Sequence, residues 1–120
     1  MAIELRRVHH VSLNVVDLAA AERFYCGALE LPRLPRPDFG FDGVWLDAGE
    51  QQIHLIAVDD FEAPVGQHFA FEVDDIDATI AELRQRGVEV SDPTQVGDVC
   101  RQAFLRDPTG NVIELNQPTS

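Results

Sequence analysis

The chain has 120 residues, 45% of them apolar, and carries a formal charge of −12 from 21 acidic and nine basic side chains, every basic one an Arg. That length suits one domain with a modest core, and that apolar fraction sets the chain apart from a disordered tail. The acidic balance excludes a nucleic-acid backbone or an anionic membrane surface as partner, because both require a basic face.

Residues 8–16 alternate, with Val11, Leu13 and Val15 on one side and His10, Ser12 and Asn14 on the other, the pattern of a half-buried strand. Asp17 suits an N-cap, and Leu18, Ala21, Phe24, Tyr25, Ala28 and Leu29 follow at helical spacing. Pro32 and Pro35 allow only a short edge strand or a loop. Residues 43–58 read as a hairpin turning at 48–51, and a linker with Pro64 and Gly66 follows. Residues 67–73 form a second alternating strand. Asp74 or Asp75 then caps a helix carrying Ile76, Ile80 and Leu83, which ends near Gly87. Three further strands are expected, at 88–90, about 101–106 and 112–116, with DPTGN at 107–111 as the last turn.

The order is β-α-β-β-β twice, in modules at about 7–58 and 66–117, and the repeat is legible in single letters. His10 is followed by Val15, Asp17 and Leu18; His68 is followed at the same spacings by Val73, Asp75 and Ile76. Ile53-His54-Leu55 stands where the second module has Ile113-Glu114-Leu115. In all four strands the apolar set takes one face and His10, His54, His68 or Glu114 the other. Taken alone, a strand histidine is commonly a hydrogen-bonded structural group, and a Glu near the end of a chain is commonly solvated. Four ligand-type residues at equivalent positions with one parity point instead to a divalent-metal site with open positions for water or substrate. His9 has the opposite parity and reads as a structural neighbour bonded to backbone. The two cysteines, Cys26 and Cys100, stand in no metal or redox spacing. No signal peptide or long apolar run is visible, so a cytoplasmic location is expected.

With these residues in view the chain resembles the vicinal oxygen chelate superfamily, the group of glyoxalase I, fosfomycin-resistance enzymes, extradiol dioxygenases and bleomycin-resistance proteins. The resemblance rests on HHVSLNVVDL, FYCGALEL, QHFAFEVDDIDATIAELRQRGVEV and FLRDPTGNVIELNQ, and so spans nearly the whole chain. It implies an α+β fold: two βαβββ modules whose curved mixed sheets form a half-barrel cleft, with helices on the outer face. It also implies a single metal at the positions of His10, His54, His68 and Glu114. Where glyoxalase I usually has Glu at the second position, this chain has His54. The donor set leaves the metal open among Ni, Co, Zn, Mn and Fe. Small members of the group dimerise and often build each site from two chains; here that would set His10 and His54 of one copy against His68 and Glu114 of another.

The resemblance further implies chemistry on vicinal oxygens of a small molecule. A glyoxalase-like lyase or isomerase would act on a substrate such as a hemithioacetal, with Glu114 as ligand and base. Extradiol ring cleavage would use Fe(II), but the sole tyrosine, Tyr25, falls on an apolar helix face. Fosfomycin-type thiol transfer finds only Arg101 and Arg106 for an anion, and surface solvation is the plainer role for both. A metal-free drug-binding protein of the bleomycin-resistance kind fits the acidic charge and the aromatic run Phe39, Phe41 and Trp45. Those three aromatics, with Ser12, Asn14, Gln52, Arg101 and Arg106, are the expected pocket residues.

Overall fold

The structure, a computed structural model, describes residues 2–119. The chain divides into two compact units, the first ending at Asp59 and the second starting at Asp60.

In the first unit β1 (His10–Val15) leads into α1 (Leu18–Glu22), then β2 (Arg33–Leu34), β3 (Gly43–Ala48) and β4 (Gln51–Ala57). The four strands lie in the order β1-β4-β3-β2. β1 runs parallel to β4, and the other pairs are antiparallel. The second unit repeats the scheme with β5 (His68–Glu72), α2 (Ile76–Gln85), β6 (Thr94–Val96), β7 (Cys100–Arg106) and β8 (Val112–Pro118). Its order is β5-β8-β7-β6, again with only the first pair parallel. The fold is therefore α+β, two mixed four-stranded sheets each with one helical segment, and neither sheet closes into a barrel. In both units the strand that opens the module lies at the sheet edge, and the strand that ends it lies inside.

Each helix starts at the aspartate the sequence marks. Asp17 Oδ1 accepts the Ala20 N–H and Asp75 Oδ1 accepts the Ala78 N–H, both at 3.0 Å. A cap of this kind stabilises a helix by about 1 kcal/mol. α2 turns Ile76, Ile80 and Leu83 into the core of its unit. It stops at Gly87, whose φ of 82° lies in the left-handed region that a side chain would resist. The interior of the first unit is built on Val15, Tyr25, Leu46 and Leu55, that of the second on Ile76, Ile113 and Leu115. A Leu or Ile buried this far contributes about 1.5–3 kcal/mol.

Two elements depart from the periodicity. Beyond Glu22 the first helix widens into a π-helical turn, Arg23–Ala28, closed by Leu29 N–H on the Phe24 carbonyl five residues back at 3.0 Å. The widened turn keeps Tyr25 wholly buried, as its place on the apolar face requires. The expected strand at 88–90 shrinks to a single bridge between Val90 and Leu105. Ser91 takes over the backbone of Phe104: its N–H donates to the Phe104 carbonyl at 2.9 Å, and its hydroxyl accepts the Phe104 N–H at 2.8 Å. Pro93 offers no N–H, and ladder pairing resumes at Thr94.

Candidate functional site

Strand parity holds in both units. In the first, His54 lies at the centre of interior strand β4, between Ile53 and Leu55, and is 8% exposed. Its cross-strand partners are Ser12 on β1 and Trp45 on β3. The indole of Trp45 stacks on the imidazole at 4.3 Å between centroids, with ring planes 9° apart. On its other side His10, two residues back along β1, stacks at 4.0 Å and 16°. His54 is thus sandwiched between an indole and a second imidazole. Gln52 Oε1 lies 2.9 Å from His54 Nε2 and fixes the ring's rotation. Burial, reinforced by His10, His9 and Arg36, holds the His54 imidazole below its usual range, so it stays neutral near pH 7.

His9 does not bond to backbone through its ring. Its Nδ1 meets His10 Nδ1 at 2.9 Å, one ring donating and the other accepting, although the two residues are adjacent in sequence. Both rings are exposed on the edge of the sheet, which leaves them free to turn toward each other.

In the second unit the same positions carry opposite chemistry. Glu114, 7% exposed, lies inside β8 between Ile113 and Leu115. His68 stands at the edge on β5, and its Nε2 is 3.1 Å from Glu114 Oε1. The other carboxylate oxygen, Oε2, accepts a 2.7 Å hydrogen bond from Asn116 Nδ2. Phe104, directly across from Glu114 on β7, meets the His68 ring edge-on at 5.6 Å.

His68 Nδ1 lies 2.9 Å from the Gly66 carbonyl. A carbonyl only accepts, so Nδ1 carries a hydrogen, the arrangement common for a metal-ligating imidazole. The neutral ring would then aim the Nε2 lone pair at a carboxylate oxygen 3.1 Å away. Two lone pairs at that distance repel unless positive charge is shared there, as a proton on Nε2 or as a cation between the two atoms. Ligands at right angles on an ion with bonds of about 2.1 Å stand roughly 3.0 Å apart; on a tetrahedral ion they stand roughly 3.4 Å apart. The donor chemistry of this pair therefore fits a divalent ion. Each unit supplies one pair, and among the described residues no three His, Cys, Asp or Glu side chains gather closely enough to hold a metal.

The other expected site residues divide. Phe39 and Phe41, each about half exposed, lie beside Trp45 in the first unit: Phe39 is 5.7 Å from Phe41 and 5.9 Å from Trp45 between centroids. The Arg36 guanidinium covers both phenyl rings at 5.0 and 5.1 Å, and its Nη2 donates to the Phe41 carbonyl. It fits there because position 43 is glycine; a Cβ at Gly43 would lie 2.5 Å from the Leu55 carbonyl oxygen and 3.0 Å from the guanidinium. Ser12 and Asn14 continue the His10 side of β1. Arg101 lies elsewhere: it grips Asp77 of α2 with two bonds of 2.7 and 3.1 Å, on the face of β7 opposite Phe104. Arg106 donates to the Gly110 carbonyl in the last turn. Phe104 and Asn116 are the residues that the spacing argument left out of the site. Phe104 stands to Glu114 as Trp45 stands to His54, and Asn116 has the parity of Glu114; pushing the repeat to the third strand would have found the first.

The chain is similar to known proteins along nearly its whole length. The chain is 33% identical over 129 residues to the uncharacterized protein YaeR of Escherichia coli K12, covering 92% of this chain and 95% of that protein. It is 25% identical over 131 residues to the mitochondrial methylmalonyl-CoA epimerase of Homo sapiens, covering 94% of this chain and 74% of the enzyme. Among solved structures, TnmS3, an antibiotic binding protein from Streptomyces sp. CB03234, superposes with a TM-score of 0.79 at 32% identity, covering 98% of this chain and 99% of TnmS3. Among the described residues no helix is long and apolar enough to cross a membrane. The family model for the Glyoxalase/Bleomycin resistance protein/Dioxygenase superfamily matches residues 7–115, and the chain belongs to that superfamily.

Proposed function

We propose that this protein is a divalent-metal-dependent lyase or isomerase that moves a proton beside a carbonyl of a small oxygenated substrate, a hemithioacetal being the first to test. The observation that carries this reading is the buried Glu114 carboxylate, held by His68 on one oxygen and Asn116 on the other. A carboxylate so placed can take a proton from carbon and return it. With a hemithioacetal it would remove the hydrogen from the carbon bearing sulfur and hydroxyl and return it to the neighbouring carbonyl carbon, while the hydroxyl proton passes to the former carbonyl oxygen. The product is a thioester of a hydroxy acid, and no oxidant or reductant is needed. The similarity to an epimerase supports the same elementary step, since inverting a stereocentre also takes a hydrogen off carbon and puts one back.

The metal would be held by His10, His54, His68 and Glu114 as two half-sites, neither sufficient alone. When bound, the ion would supply positive charge to the substrate oxygens. The neutral state of His54 suits ligation, and the stacking of Trp45 and His10 limits its ring rotation.

Metal analysis of the purified protein beside His10→Ala, His68→Ala and Glu114→Ala tests the site. A fall in bound metal in each variant is expected, and unchanged content in all three would overturn the reading. Absorbance assays with hemithioacetals and catechols in the presence of Ni(II), Co(II), Zn(II), Mn(II) and Fe(II) test the chemistry. Glu114→Gln should lower turnover by roughly 100-fold or more. Mixing His10→Ala with Glu114→Ala protein reads the assembly. If half-sites meet between two copies, the mixture regains metal, because one of its two sites is intact; if they meet within one copy, it does not.

One observation favours a second reading, a metal-free binder of planar drugs. The ladder Phe41, Phe39, Trp45, His54 and His10 offers a run of neighbouring aromatic faces. The 32% identity to an antibiotic binding protein points the same way. Tight binding of a flat cationic drug by metal-stripped protein, with no turnover of any substrate, would decide for it.

A further inference from the structure

The carboxylate of Glu114 has two oxygens, and the structure treats them differently. Oε1 faces the His68 imidazole, while Oε2 is taken by the side-chain amide of Asn116 at 2.7 Å. The Asn116 NH2 group has two hydrogens, and the second points at Cys100 Sγ, 3.4 Å away on the adjacent strand. Both neighbours accept, so the amide is oriented nitrogen-first toward them. The backbone below it is fixed as well: the Asn116 carbonyl accepts the Val73 N–H at 2.9 Å, and the residue pairs with Glu72 on one side and Gln102 on the other. Glu114 and Asn116 are two apart on one strand, so their side chains share a face and the amide reaches the carboxylate without strain.

We propose that Asn116 is a positioning residue that dedicates the carboxylate: by holding Oε2 it leaves Oε1 alone to meet the ion and the substrate proton. This rests on the metal reading of Glu114 given above. A carboxylate with two free oxygens can bind an ion through one or both; an amide on Oε2 removes the second mode and fixes the plane of the group. Cys100 acts at one remove, as the acceptor that keeps the Asn116 amide from turning. The first unit has no such device, since the residue two beyond His54 is Ile56. An imidazole bound through one nitrogen does not need one.

Ni(II) affinity, measured by competition with a chromophoric chelator, tests the proposal, with the visible spectrum of the Co(II)-loaded protein as a second readout. Asn116→Ala should weaken Ni(II) binding by about 10–100-fold, the usual cost of losing a group that orients a ligand. It should also alter the Co(II) bands, since a freed Oε2 changes the donor set at the ion, which a merely structural role would not do. Asn116→Val, a strand former without a donor, should behave alike and guards against poor folding of the alanine variant. If both variants keep wild-type affinity and spectrum while Glu114→Gln loses Ni(II), the role given to Asn116 is overturned and the metal reading stands. If Glu114→Gln also binds Ni(II) as wild type, the metal reading fails and this proposal with it.

Discussion

The two units are the same scaffold carrying two different pairs. In each, an exposed imidazole sits on an edge strand beside a buried partner on the interior strand, and an aromatic side chain faces that partner from the third strand. In the first unit the partner is His54, and the contact is a stack of rings with Trp45 and His10 on either side. In the second it is Glu114, and the contact is polar, with His68 and Asn116 dividing the carboxylate oxygens. A buried neutral ring needs aromatic surface and one hydrogen bond; a buried anion needs a donor or a cation for each oxygen. Equivalent backbone positions thus acquire different surroundings because their side chains differ in charge.

Ile53 and Ile113 precede the two partners and are 2% and 0% exposed. Truncating either to Ala should destabilise by about 2–5 kcal/mol in urea unfolding. A clearly larger loss at Ile113 would mean that the second unit tolerates a cavity less well than the first.

The hairpin turns offer a sharper contrast. Asp107, buried, accepts the N–H groups of Thr109, Gly110 and Asn111 on Oδ1 and the Asn111 side chain on Oδ2. Its counterpart Asp47 accepts only the Gly49 N–H among its described side-chain bonds. Asp107→Ala should cost on the order of 2–3 kcal/mol and Asp47→Ala under about 1 kcal/mol, because only the first leaves buried donors unpaired.

A third test separates the neighbours at the start of β1. His10→Ala should lower bound metal and remove one side of the His54 sandwich. His9→Ala should lower metal by a smaller factor, since it removes only the 2.9 Å contact to the His10 ring. Ni(II) titration followed by the emission of Trp45, the only tryptophan, reads both variants directly. Equal losses would assign His9 an equal part in the site.

The smallest expected effect lies away from the paired residues. Hydrogen bonds from Arg101 hold the Asp77 carboxyl below its usual range, so the ionised form is favoured in the folded state. The stability this contributes is present above the pKa of the unfolded chain and is lost as pH falls through the lower folded value. Asp77 is exposed and Arg101 only half-buried, so solvent screens the pair and the effect is slight. Asp77→Asn should leave thermal unfolding at pH 7 nearly unchanged and should flatten its dependence on acid below about pH 4.

Much of this molecule is legible from residue order. The period-2 pattern of 10–15 and 68–72 placed His10 and His68 on the polar side of strands, and the shared spacing to Asp17 and Asp75 marked both helix starts. The strand expected at 88–90 is reduced to one bridge because Val-Glu-Val has strand propensity while Ser91 bonds the backbone of Phe104 on a distant strand and Pro93 has no N–H to give the ladder. The widened turn after Glu22 was also out of reach, since a π-turn differs from an α-turn by one residue of hydrogen-bond register, too little to disturb the apolar spacing.

The sequence by itself determined the repeat, the parity of the four ligand-type residues and the family, because strand alternation and helix capping are local and survive without knowledge of partners. Tertiary structure decided what those residues meet: that His54 lies between two rings, that His9 turns to His10, that Arg101 is committed to Asp77, and that Asn116 holds one oxygen of Glu114. The sandwich and the Arg101–Asp77 pair depend on which elements lie side by side and in what register, and pairing between segments tens of residues apart is not written in the order of either one; the two local contacts depend on which rotamer the exposed edge and the packed interior leave to each side chain.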